Sequence, residues 1–173
     1  AQHCKTLLDV PFHILAMASI DTQQIMLNEK YIVNGRPLDL SDLIKQVNQY
    51  KYSISPEMNL PLPQQEVCFD VTTVQVRNET TLMTARDMVK DGKRPLVLNF
   101  ANGTEVGGGF LRGAGAQEET LCYASTLYST LVGDPFYRYN LEHAPTASTD
   151  YAMLSQAVVF KDDKYNAIER PWI

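Results

Sequence analysis

The stretch from Leu96 to Tyr128, LVLNFANGTEVGGGFLRGAGAQEETLCYASTLY, decides how this chain is read. An apolar run over 95–101 ends at Ala101, a glycine-rich loop follows over 102–116, and a helix opens on Gln117-Glu118-Glu119. A continuous apolar run suits a strand buried on both faces of a sheet. In α/β sheets the carboxyl end of a central strand is the usual place for a ligand. Gly107, Gly108 and Gly109 carry no Cβ and tolerate positive φ, so the backbone can approach a ligand closely. Successive N–H groups can then form a concave nest for an anion, and a diphosphate is the natural occupant.

Glu118 and Glu119 follow this loop directly. Acidic residues favour the first turn of a helix on electrostatic grounds alone. Here Gln117 adds a third polar group, and Arg112 is the nearest cation. Adjacent helical residues point about 100° apart, so the two carboxylates do not flank one bond as an ordinary glycosidase pair does. One is expected to reach the reacting centre and the other to hold its surroundings. Carboxylates accept well from vicinal sugar hydroxyls. The helix N-terminus favours the ionised form, whereas a general acid needs its proton. Negative charge on a ligand and burial beneath it both favour protonation, so the acid is expected to become competent in the complex.

Working outward, 67–76 alternates β-branched residues and predicts a strand. Thr80 or Thr81 caps a helix through about Asp91, and Gly92 ends it. With 95–101 this makes a strand–helix–strand signature. Upstream, apolar spacing predicts a helix from Phe12 to about Glu29. A short strand over 31–33 and an Asn34-Gly35 turn follow. A second helix starts with Ser41 as N-cap and runs to about Tyr50. Residues 53–65, with Pro56, Pro61 and Pro63, read as an irregular connector. Downstream, 134–149 reads as irregular and aromatic, 157–160 as a strand, and Asp162-Asp163 as a turn. The division is a helical N-terminal extension over 1–62 and an α/β core over 63–173.

Composition excludes several classes. The chain has 173 residues, within the range of about 100–200 usual for one domain. A net charge of −5 gives no general attraction for a nucleic-acid backbone. Cys4, Cys68 and Cys122 form no disulfide framework and read as reduced thiols of a cytoplasmic protein. His3, His13 and His143 make no metal-ligand spacing, and neither metal nor cofactor is called for. The apolar run from Val10 to Ile20 is too short to span a membrane and lacks the flanks of a signal peptide.

At these residues the sequence resembles the microbial-type poly(ADP-ribose) glycohydrolases, a branch of the macrodomain fold. That family's signature is three glycines, six to eight residues, then Gln-Glu-Glu. Here seven residues, Phe110 to Ala116, separate Gly109 from Gln117. Residues 76–82, 97–101, 125–128 and 149–151 extend the likeness. The resemblance implies an α/β fold with a macrodomain-like mixed sheet flanked by helices. It also implies roles: Gly107, Gly108 and Gly109 on the diphosphate, Glu118 on ribose hydroxyls, and Glu119 as catalytic acid. Gln117 orients the pair. Asn102 is a candidate ribose contact, and Ala101 and Phe110 are counted with the substrate-binding set.

Two departures stand out. Glu105-Val106 occupy the place where many members have Asn-Pro. The family also continues past the point matching Ile173 with another strand, a second phosphate loop and an adenine platform. The fold is therefore expected to be completed by a further segment or a second chain. The expected ligand is ADP-ribose or its polymer, including conjugates on modified proteins. Three readings remain open: a glycohydrolase, a module that binds ADP-ribose without cleaving it, and a scaffolding fragment.

Overall fold

The computed structural model describes residues 10–60 and 71–173. Cys4, Cys68, His3, residues 67–70 of the first expected strand and the expected 62/63 boundary lie outside them.

Helix α1 (Phe12–Asn28) buries Leu15, Ala18, Ser19, Thr22 and Ile25, a stripe at three- and four-residue spacing. Glu29, in the left-handed region, ends it. Strands β1 (Lys30–Val33) and β2 (Arg36–Asp39) form an antiparallel hairpin. Its two turn residues, Asn34 and Gly35, both have positive φ, as a twisted two-residue hairpin requires. Helix α2 (Ser41–Val47) follows. Ser41 is not its N-cap: Asp39 Oδ1 accepts from the Ser41 N–H at 2.8 Å and from its hydroxyl at 2.6 Å. The ionised carboxylate is the stronger acceptor and takes over the capping task.

Strand β3 (Lys51–Ile54) opens the segment expected to be irregular, and pairs antiparallel with β4 (Ala152–Ser155). Helix α3 (Thr81–Lys90) is capped by Thr80, whose hydroxyl accepts from the Met83 N–H at 3.1 Å, and Gly92 stops it at φ 73°. Helices α4 (Gln117–Ala124), α5 (Leu127–Leu131) and α6 (Pro135–His143) come next. The last corrects the irregular reading of 134–149. Asp134 caps α6 by accepting from the Phe136 N–H at 2.9 Å, and Pro135 sits where a missing N–H costs nothing. Strands β5 (Val159–Lys161) and β6 (Ala167–Trp172) form the third antiparallel pair.

The strand–helix–strand pairing does not form among the described residues. Residues 71–77 and 93–102 belong to no ladder. Leu96, Leu98 and Phe100 are 85, 70 and 69% exposed, which corrects the expectation of a strand buried on both faces. A strand needs cross-strand partners for its N–H and C=O groups. Over 98–100 a side chain, Gln117, partly takes that place.

The core ties the first helices to the last strands. Ile25, Tyr31, Leu40, Ile44 and Val47 pack with Val158 and Phe160. A second cluster joins Leu15 and Ala18 of α1 to Phe110, Cys122 and Tyr123 beneath the glycine loop. Lys161 is buried between them, with Nζ 2.6 Å from Asp21 and 2.8 Å from Thr22 Oγ1. Burial lowers its pKa, against the opposing pull of Asp21. Thr22 in turn donates to the Tyr123 carbonyl at 2.6 Å, so one polar chain links β5, α1 and α4.

Candidate active site

Helix α4 begins after the extended residue Ala116 and carries both glutamates in its first turn. Glu118 and Glu119 are only 3 and 6% exposed. Buried carboxylates need donors, and the preceding loop supplies them. Glu118 Oε2 accepts from the Asn102 N–H at 2.8 Å, and Oε1 from the Asn99 amide at 3.3 Å. Glu119 Oε1 accepts from the Gly109 N–H at 2.7 Å. Its second oxygen, Oε2, is buried with no hydrogen-bond partner. Burial raises the Glu118 pKa, opposed by the Asn102 N–H and the Asn99 amide and assisted by the charge of Glu119.

The glycines make this closeness possible. Gly107 and Gly108 have φ of 62° and 56°. A Cβ on Gly108 would lie 2.4 Å from Glu119 Oε1 and 3.1 Å from Glu118 Oε2. One on Gly107 would lie 2.7 Å from the Tyr128 ring. The loop thus passes directly over the carboxylates. The Gly108 N–H donates to the Glu105 carbonyl at 3.1 Å and the Gly109 N–H to Glu119, so both are engaged within the protein.

Gln117 acts as a surrogate strand neighbour. Its amide donates to the Leu98 carbonyl at 2.8 Å, and its oxygen accepts from the Phe100 N–H at 3.0 Å. It orders the segment that holds Asn99 and Asn102 against Glu118. Asn102 Oδ1 accepts from the N–H groups of Thr104 and Glu105, each at 2.9 Å, and caps its own turn. Ala101 is half-buried beside it. Phe110 departs from its expected place. It is fully buried, with ring centroids 4.8 Å from Tyr128 and 5.2 Å from Tyr123, so it supports the loop from below. At the loop's outer edge Arg112 forms a bidentate ion pair with Glu105, Nη2 lying 2.7 Å from Oε2.

Two buried carboxylates held by N–H donors thus lie together beneath the glycine loop, and Oε2 of Glu119 has no partner. The family model for the microbial-type PARG catalytic domain matches residues 19–162. The chain belongs to this family.

Solved structures agree. The chain is similar to the poly(ADP-ribose) glycohydrolase of Thermomonospora curvata, at 29% identity and a TM-score of 0.78 over 92% of this chain and 61% of that one. It is equally similar, at 31% identity and a TM-score of 0.78, to the same organism's enzyme bound to the inhibitor ADP-HPD, over 92% and 60% of the two chains. The chain therefore spans about three-fifths of the length of these relatives, and its fold is that of the family. No curated protein matches it. No helix among the described residues is long and apolar enough to cross a membrane.

Sequence reading missed three residues of this site. Asn99 was a lone amide inside an apolar run, which was its signal. Asn140 on α6 is fully buried; its amide donates to the Gly103 carbonyl at 3.0 Å, and Oδ1 accepts from the Thr149 N–H and hydroxyl at 3.0 and 2.7 Å. It pins the turn that presents Asn102. Tyr137, one turn before it, buries its hydroxyl near Gly107 and Glu118, and burial first, then the Glu118 charge, raises its pKa. Asp134-Pro135 was the available signal for α6, since a capping residue followed by proline marks a helix start.

Proposed function

We propose that this chain carries the catalytic carboxylates of a hydrolase that cleaves the ribose–ribose O-glycosidic bond of poly(ADP-ribose) or the linkage of ADP-ribose conjugates on modified proteins. The unpartnered Oε2 of Glu119 carries the reading. Buried polar atoms are almost always satisfied, and an unsatisfied one at a site asks for a partner. The leaving oxygen of a glycosidic bond is a fitting one.

In this mechanism Glu119 holds a proton on Oε2 and gives it to the leaving oxygen as the C–O bond breaks. The ribosyl centre becomes oxocarbenium-like, and water adds to it. The water's proton returns to the carboxylate, which restores the acid. Glu118 has both oxygens oriented by N–H donors, with further lone pairs for vicinal ribose hydroxyls. A diphosphate over Gly107, Gly108 and Gly109 competes for the N–H groups of Gly108 and Gly109. That competition draws the Gly109 N–H away from Glu119 Oε1 and excludes water from the pair. Asn102 keeps its side-chain NH2 for ribose, Gln117 keeps the pair aligned, and Ala101 and Phe110 shape the wall and floor.

The exposed apolar faces of 71–77 and 94–101 support a condition on activity: a further segment of chain, or a second chain, covers them and completes the sheet. A cytoplasmic setting fits the buried free thiol of Cys122. The test is release of ADP-ribose from polymer by a chain continued past Ile173, with and without Glu119→Gln. Release that is unchanged in the variant overturns the assignment of the acid. Saturable ADP-ribose binding with no release by either protein favours a binding module.

A further inference from the structure

The loop is short of positive charge. Between Asn99 and Tyr128 the sequence contains one basic residue, Arg112, against three acidic ones, Glu105, Glu118 and Glu119. A diphosphate brought here meets two buried carboxylates beneath the loop and a third beside it. The single guanidinium is already occupied, because Glu105 holds it through both nitrogens.

The two partners stand on fixed backbone. The Arg112 N–H donates to the Gly109 carbonyl at 2.9 Å, and the turn it closes is anchored by the buried ring of Phe110. The Glu105 N–H donates to Asn102 Oδ1 at 2.9 Å, and its carbonyl accepts from Gly108 at 3.1 Å. The side chains are free in comparison, 64% exposed for Arg112 and 44% for Glu105. An exposed ion pair contributes only about 0–1 kcal/mol, so exchanging one partner is easy. A guanidinium fork donates to two phosphate oxygens in the same geometry as to two carboxylate oxygens.

We propose that Glu105 is an internal competitor for the ligand's diphosphate: its carboxylate occupies the Arg112 fork that a phosphate takes on binding. The inference rests on the ADP-ribose reading above. Ligand entry is then an exchange of anions on one guanidinium, and Glu105 sets the affinity of the loop without touching the ligand. A purely repulsive Glu105 would also weaken binding, but its effect would not depend on Arg112. Coupling between the two residues is therefore the distinguishing quantity.

The experiment is calorimetric titration of ADP-ribose into a chain continued past Ile173, as wild type, Glu105→Gln, Arg112→Ala and the double variant. Glu105→Gln is expected to tighten binding by about 3- to 10-fold, and Arg112→Ala to weaken it by a similar factor, in line with one exposed charge-assisted contact. In the Arg112→Ala background the gain from Glu105→Gln should shrink to less than about twofold. Arg112→Lys keeps the charge without the fork and should fall between wild type and Arg112→Ala. An unchanged or weaker Kd in Glu105→Gln overturns the proposal, as does a gain that persists undiminished without Arg112. If no variant binds ADP-ribose, the substrate reading fails together with this one. If wild type binds and releases monomer but the coupling is absent, this inference fails alone.

Discussion

Two neighbouring stretches invert the usual rule of burial. In α4 two glutamates lie under the glycine loop, almost without exposure, while Leu96, Leu98 and Phe100 in the preceding stretch face outward. The glutamates are tolerable because their donors are local: Asn99, Asn102 and Gly109 all lie within twenty residues of them. The apolar side chains have no such local solution, since a sheet is closed by strands distant in sequence. Local hydrogen bonding therefore builds the site without calling on strands distant in sequence.

The largest effect should come from Glu119. Glu119→Gln is expected to lower polymer hydrolysis by about 10²- to 10⁴-fold, with ADP-ribose affinity kept within a few-fold. Hydrolysis and titration on the same preparation check this, and a parallel loss of affinity would mean that the residue binds rather than reacts.

Stability sharpens the contrast between the two stretches. Phe110→Ala empties the floor of the loop and should cost about 3–5 kcal/mol in urea unfolding. Leu98→Ala, on the exposed stretch, should change the same measurement by less than about 0.5 kcal/mol. A large loss from Leu98→Ala would show that the stretch is covered in solution.

Gly108→Ala tests the close approach. Its left-handed φ costs an L-residue about 1–2 kcal/mol, and the new Cβ meets Glu119 Oε1 at 2.4 Å. Hydrolysis should fall by at least about tenfold, with a measurable drop in Tm. Activity equal to wild type would mean that the loop stands away from the carboxylates.

The smallest effect is in pH dependence, and two buried carboxylates should show opposite signs. Glu118 has its pKa raised above the ordinary 4.5 by burial, despite the Asn102 and Asn99 donors. Its contribution favours the folded state below 4.5 and is lost as pH rises through the raised folded value. Glu118→Gln should therefore gain stability relative to wild type as pH rises through that window. Asp134 is also pushed up by burial, but the Ser53 hydroxyl, the Phe136 N–H and Lys51 prevail and hold it below the ordinary 3.8. Its contribution is present above 3.8 and is lost as pH falls through the depressed value, so Asp134→Asn should lose its deficit in acid. Urea unfolding across pH 3 to 8 reads both, and slopes of one sign would refute the contrast.

Much of the site was legible because its determinants are near one another in sequence. The Asn34-Gly35 turn, the Thr80 cap, the Gly92 stop and the spacing from Gly107 to Glu119 each involve partners within a dozen residues. Their chemistry is written in residue type: φ tolerance, hydroxyl acceptors and charge at a helix start. The strand readings of 71–76 and 95–101 departed from the structure for the opposite reason. Apolar alternation records what a segment can bury, and only a partner strand decides whether it does.

By itself, then, the sequence determined the family signature, the glycine loop and the position of both carboxylates in the first turn of one helix. Tertiary structure alone decided that Oε2 of Glu119 would be buried without a partner. It also decided that Lys161 would bridge Asp21 and Thr22 and that Asn140 would brace Gly103. These pairs are brought together only when the chain closes on itself, Thr22 meeting Tyr123 across a separation of 101 positions. Such contacts depend on how helices and strands stack, a property that no local run of residues encodes.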